Sequence, residues 1–142
     1  MKLEIEAGVF DQMLQASRNA FPLEACGLLA GSDARATRLY SLTNADASPV
    51  HYSMIAEEQF AAIRDIRKLG LRLLAIWHSH PAKPARMSPE DLRLAYTPDV
   101  VYAVLSLVAD APSLRCFVVE DAAAEEIQVT VTNSRPALER SV

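Results

Sequence analysis

Short apolar stretches of strand length, closed off by turn residues, recur along this chain and limit it to a fold built around a β-sheet. They are Glu24–Gly31, Leu71–Trp77, Val100–Val108 and Leu114–Glu120, followed by Ile127–Thr132, in which Ile127, Val129 and Val131 alternate with polar residues. Leu3–Ile5 adds a short strand at the N-terminus, and Ala36–Leu42 reads as a partner to Glu24–Gly31 across the turn-like Gly31-Ser-Asp. Asp110-Ala-Pro-Ser forms the turn before Leu114.

Two stretches have helical spacing instead. Val9–Ala20 places apolar residues at Val9, Phe10, Met13, Leu14 and Ala20 and is ended by Pro22. Ala56–Leu69 carries Phe60, Ile63, Ile66 and Leu69 and stops at Gly70. A third, short helix opens at Ser88-Pro-Glu-Asp91, after polar loops at Thr43–Tyr52 and Ala82–Met87. The expectation is one α/β domain over residues 1–132, a mixed and mostly antiparallel sheet flanked by about three helices, with a loose tail at 133–142.

With 51% hydrophobic and 23% charged residues, the 142-residue chain has the apolar material for a packed core and is not a disordered sequence. A net charge of -4 and the lack of any basic run exclude phosphate-backbone recognition, so no nucleic acid is expected as partner. No apolar run approaches the ~20 residues of a membrane span, so none is expected at a membrane either. Acids interrupt the first residues where a secretory leader would be apolar, and a cytoplasmic location follows as expectation. Cys26 and Cys116 form no metal-knuckle or redox motif and read as free, buried thiols.

The residues that carry chemistry cluster around one strand end. His78 and His80 stand two apart after Leu71–Trp77, so both imidazoles project to the same side, about 6–7 Å apart at Cα. Two such histidines can converge on one metal ion. Ser88-Pro-Glu-Asp91 has an ordinary reading: an N-cap serine, a proline at the first helical position, and first-turn acids that suit the dipole. Capping and chemistry are compatible. The seven residues between His80 and Ser88 are few enough to fold that helix start back onto the histidines. Asp91 then completes a two-histidine, one-carboxylate set that leaves a position for water, as catalytic zinc requires. Glu24, an acid at the head of an apolar strand, either faces solvent at the strand mouth or serves as the base such a site needs.

Taken together, Glu24, His78, His80, Ser88 and Asp91 fill the pattern E…H-x-H-x7-S-x2-D and resemble the JAMM motif of the MPN-domain metalloproteases. Glu-Ala-Cys-Gly-Leu-Leu and Trp-His-Ser-His-Pro strengthen the likeness to the compact bacterial members, and it runs from about residue 3 to residue 132. The resemblance implies an MPN domain of cytidine-deaminase-like architecture. It implies Zn2+ held by His78, His80 and Asp91, with Glu24 shuttling the proton and Ser88 donating to the oxyanion. It also implies a ubiquitin-like or sulfur-carrier protein with a Gly-Gly C-terminus as substrate, cysteine being the residue released in the sulfur-carrier case, and a monomer or homodimer. A non-catalytic MPN scaffold, or a peptidase acting on other small peptides, are the alternatives. A zinc deaminase needs a Pro-Cys-x-x-Cys pair, which is absent.

Other residues read as ordinary. His51 is a surface histidine of a polar loop, Trp77 and Ser79 face away from the ligands, and Glu90 is a solvated first-turn acid. Pro81 stiffens the loop after the ligands. Cys26 shares a face with Glu24 if their strand is regular.

Overall fold

In the computed structural model, which describes residues 1–132, seven strands and three helices follow in the order β1 (Lys2–Glu6), α1 (Ala7–Ala20), β2 (Cys26–Ser32), β3 (Arg35–Leu42), α2 (Ala56–Lys68), β4 (Arg72–His80), α3 (Pro89–Leu94), β5 (Val101–Ser106), β6 (Ser113–Glu120) and β7 (Ala123–Thr132). The tail expected from Asn133 lies outside the described residues. No helix among the described residues is long and apolar enough to cross a membrane.

The sheet is mixed, as its strand connections require. Hairpins make β2 antiparallel to β3 and β6 antiparallel to β5 and β7, while β2 and β4 also run antiparallel. The crossover through α3 makes β4 parallel to β5. The sheet also closes on itself, in the order β1-β3-β2-β4-β5-β6-β7, because β1 pairs in parallel with both β3 and β7. The β1–β3 seam is short, two pairs at Glu4 with Arg35 and Ile5 with Ala36.

Alternation along the strands sorts side chains into two cores. One holds Leu3, Ile5, Leu29, Ala75, Trp77 and Leu105 against Val9 and Met13 of α1. The other holds Leu28, Ile76, Tyr102 and Val104 against Ala62 and Ile66 of α2. Trp77 therefore faces the α1 core, while His78 and His80 follow Ile76 onto the α2 face.

Several boundaries differ from the sequence expectation for identifiable reasons. Of the expected α2 stripe Ile66 is buried and Ile63 partly so, while Phe60 and Leu69 are exposed, at 68% and 49%, and Ala62 is buried in addition. Steps of three residues each fall about 60° short of a full turn, so the ends of a Phe60–Ile63–Ile66–Leu69 stripe point opposite ways. Strand β7 begins at Ala123 and not Ile127, since its first four residues, Ala-Ala-Glu-Glu, are paired to β6 but carry no apolar alternation. The turns before β3 and β7 are Asp33-Ala34 and Asp121-Ala122, with φ of 53° and 61° and of 52° and 61°. Two consecutive left-handed residues suit a tight hairpin, here without the usual glycine.

Gly27 explains part of the Glu-Ala-Cys-Gly stretch. The Trp77 indole N–H passes over it to donate to the Tyr40 carbonyl at 3.3 Å. A Cβ at Gly27 would collide with that carbonyl oxygen and stand 2.6 Å from Trp77 Nε1. Gly27→Ala is expected to destabilise the protein by about 3 kcal/mol, because backbone and a packed indole cannot both yield. Urea unfolding measures this, and a midpoint equal to wild type would show that β2 can shift.

Candidate metal centre

Strand β4 ends in His78 and His80, both on the α2 face and nearly fully buried, at 0% and 2% exposure. The 81–87 loop then returns the chain so that α3 starts over them. Ser88 caps α3: its Oγ accepts from the Asp91 N–H at 3.0 Å, and Asp91 Oδ2 accepts from the Ser88 N–H at 2.9 Å. This capping box fixes the Asp91 rotamer. The same Oδ2 stands 3.1 Å from His78 Nε2 and 3.0 Å from His80 Nε2, and the two Nε2 atoms are 3.1 Å apart.

The orientation of His80 is set from behind. Its Nδ1 lies 2.9 Å from the Pro84 carbonyl, which can only accept, so Nδ1 carries a proton and Nε2, turned toward Asp91, is the nitrogen left to serve as a ligand. Burial holds the His78 imidazole below its ordinary pKa and therefore neutral. Burial also opposes ionisation of Asp91, yet hydrogen bonding to His78 and His80 outweighs it and keeps the carboxyl well below the usual range. Burial opposes a charge on His80, but hydrogen bonds to Asp91 and the Pro84 carbonyl outweigh it and hold its pKa above the ordinary value. Two imidazoles and a carboxylate aimed at one point are the donor set of a divalent metal, which binds in place of the Nε2 protons. Donors sharing a tetrahedral ion at 2.0–2.1 Å stand about 3.3 Å apart, close to the separations here. His78, His80 and Asp91 fit a zinc ion.

Glu24 belongs to the same buried region. It is 1% exposed, and its Oε1 has no hydrogen-bond partner among the described residues. Burial pushes its carboxyl up to about 8, with His80 opposing. Of the two readings open for Glu24 from sequence, the solvent-facing one is excluded. Its backbone is held by the 44–54 loop: the Glu24 N–H donates to Ser48 O at 2.9 Å, and Asn44 Nδ2 donates to Glu24 O at 3.1 Å. Asn44 Nδ2 also reaches His51 O at 3.0 Å, which ties the same loop down next to Tyr52.

Tyr52 and Asn44 carried no signal in the sequence. Tyr52 stacks on the His78 ring at 4.8 Å and 27°. With Glu90, Asp91, Tyr96 and Tyr102 it lines a groove of about 460 Å³ beside the three ligands. Glu90 is thus half-buried on the groove wall and not simply solvated, a correction to the sequence expectation. An aromatic beside a histidine in a polar loop is too common a pair to have pointed to Tyr52. His51 stays outside the ligand set and meets Asp46 Oδ2 at 3.0 Å. Ser79 Oγ accepts from the Ala25 N–H at 2.8 Å, a structural contact on the opposite face. Strand β2 begins at Cys26, so the strand alternation expected to link it to Glu24 does not reach that residue; Cys26 pairs with His78, and burial pushes its thiol up to about 12. Both cysteines are free and buried, as expected.

Fold and site together define a JAB/MPN domain with a His-His-Asp centre. Residues 6–120 match the prokaryotic homologs of the JAB domain, and the chain belongs to that family. It is 34% identical over 132 residues to the CysO-cysteine peptidase of Mycobacterium tuberculosis, covering 91% of this chain and 90% of the relative. It is also 34% identical over 70 residues to the desampylase of Pyrococcus furiosus, covering 49% and 50% of the two chains. The solution structure of a Desulfitobacterium hafniense protein superposes with a TM-score of 0.86 at 39% identity over 94% of each chain.

Proposed function

We propose that this chain is a zinc-dependent peptidase that hydrolyses the amide bond after a Gly-Gly end of a ubiquitin-like or sulfur-carrier protein. The observation that carries the reading is the convergence of three buried metal donors beside Glu24, a buried carboxyl with an unpartnered oxygen. The names of the Mycobacterium tuberculosis and Pyrococcus furiosus relatives support peptidase chemistry and the carrier substrate class.

In this reading His78, His80 and Asp91 hold the ion. When bound, zinc polarises the scissile carbonyl and acidifies a water molecule. Glu24 takes the proton from the attacking water and returns it to the departing amine. A carboxylate beside the ion and its water can accept that proton and release it again. Ser88 Oγ spends a lone pair on the Asp91 N–H and keeps its own proton to donate to the developing oxyanion. Tyr52 closes one side of the His78 ring and, with Tyr96 and Tyr102, forms a wall for an extended tail.

The test is zinc-loaded protein against carriers ending in Gly-Gly plus one further residue. Release is expected, and a chelator should abolish it. A fully zinc-loaded chain that cleaves no carrier tail would instead be a binding scaffold. Ser88→Ala is expected to lower kcat about 10²-fold with little change in KM, and to cost about 1 kcal/mol of stability through the lost cap. Steady-state kinetics beside thermal unfolding separates the two effects.

A further inference from the structure

Two depressions flank the three ligands, and they differ in charge. The larger, with Tyr52 and Tyr96, has the carboxylates of Glu90 and Asp91 on its wall. The smaller, about 260 Å³, is lined by His80, Ser88, Lys83 and Arg86. Among the described residues neither Lys83 nor Arg86 is in an ion pair.

We propose that Lys83 and Arg86 bind the free α-carboxylate of the departing residue, so that the site removes a single C-terminal residue in preference to cleaving an isopeptide bond. This deepens the hydrolytic reading above and rests on it. Hydrolysis breaks one C–N bond, adds the water's hydroxyl to the acyl carbon and its proton to the amine. If the bond is the last peptide bond, the leaving residue carries an α-carboxylate next to its new amine. A lysine side chain released from an isopeptide bond carries none.

A carboxylate on the larger side would meet Glu90, whereas on the smaller side it meets two unpaired cations. The sizes agree with this assignment, the long groove suiting an extended tail and the small depression one residue. The cations stand on a fixed loop. The Lys83 carbonyl accepts from Ser106 Oγ at 2.5 Å, and the Pro84 carbonyl accepts from the Arg86 N–H at 2.9 Å as well as from His80 Nδ1. Ala85 and Met87 are buried between and after them. These bonds fix the backbone from which the two side chains project, so both start from a set position beside the depression. Lys83 also lies near enough to Glu24 to oppose the rise in its proton affinity, so its charge is felt at the reacting centre.

The test compares one carrier tail in two forms, ending in a free carboxylate or in its carboxamide. Wild type is expected to favour the acid at least about 10-fold in kcat/KM, chiefly through KM, as a charge-assisted hydrogen bond would give. In the Lys83→Ala, Arg86→Ala double variant that ratio should fall to near one, and Lys83→Arg should preserve it. Both side chains are exposed, so the variants should fold as wild type does. Binding of the two tails to Glu24→Gln protein provides a readout without turnover, and the same acid preference is expected there. Equal cleavage of acid and amide by wild type, or a preference that survives the double variant, overturns this inference alone. Cleavage of neither tail with no preference in binding overturns the peptidase reading and this inference with it. A binding preference without cleavage supports the cationic pair and counts against the peptidase reading only.

Discussion

Glu24→Gln is expected to lower kcat by between about 10²- and 10⁴-fold while zinc remains bound, and at the same time to stabilise the metal-free protein. The rate loss follows from removing a buried carboxyl beside the ligands that is free to move a proton because it is not one of them. The gain in stability follows from the state of that group. Glu24 is almost completely buried with one oxygen unpartnered, and a neutral amide of the same shape avoids the cost of burying a charge. A gain of about 2 kcal/mol at pH 8 is expected, a rise of several degrees in Tm. A residue that costs stability and supplies activity is the trade-off expected of a functional group.

The pH dependence has a definite sign. The carboxyl has its ordinary value of 4.5 in the unfolded chain and about 8 in the folded one. Between those values the folded state holds a proton that the unfolded state has released, so stability falls as pH rises through the window. Glu24→Gln removes that slope. The stability gap between variant and wild type, both in chelator, should therefore be small near pH 5 and widest at pH 8 and above. Chemical denaturation at a series of pH values measures it, and a gap independent of pH would mean that Glu24 is solvated in the metal-free protein. Full turnover by the zinc-loaded variant would remove Glu24 from the mechanism.

The ligands were legible in the sequence because strand alternation and helix capping are local rules. His78 and His80 two apart had to share a face, and a Ser88-Pro-Glu-Asp91 helix start had to turn Asp91 toward its cap; the structure adds only that both meet. Glu24 was half legible, since an acid heading an apolar strand is anomalous but its burial depends on the distant 44–54 loop. Asn44 and Tyr52 act through backbone carbonyls and ring stacking that no local spacing encodes. Closure of the sheet by β1 was hidden for the same reason. Leu3 and Ile5 reveal one buried face, but the parallel partners on both edges lie some 30 and 125 residues away in the chain, at Ala36 and Val131. Only the ends of the α2 stripe, Phe60 and Leu69, were misread, because three-residue spacing drifts around the helix, while Ile66 is buried as expected.

Zinc is expected to raise the stability of the wild-type chain by about 4 kcal/mol at a thousandfold excess over its dissociation constant, since an ion bound only by the folded state shifts the equilibrium by mass action. For a chain of this size that is a Tm rise of about 10 °C, reversed by a chelator. Asp91→Ala should abolish the rise and cost about 1 kcal/mol more through the lost capping box. Asp91→Asn separates the two roles. Its amide oxygen can still accept from the Ser88 N–H, so the metal-free Asn variant should stay within about 1 kcal/mol of wild type, yet its neutral side chain should leave the zinc-dependent rise largely lost. Thermal unfolding of the three proteins, each with zinc and with chelator, decides the matter. A wild-type chain indifferent to zinc would show that His78, His80 and Asp91 converge for packing alone. An Asn variant that responds like wild type would show that the two histidines hold the ion without the carboxylate. The expected pattern, stabilisation by zinc only where the carboxylate is intact, follows from Asp91 Oδ2 facing both Nε2 atoms while its helix cap holds it there.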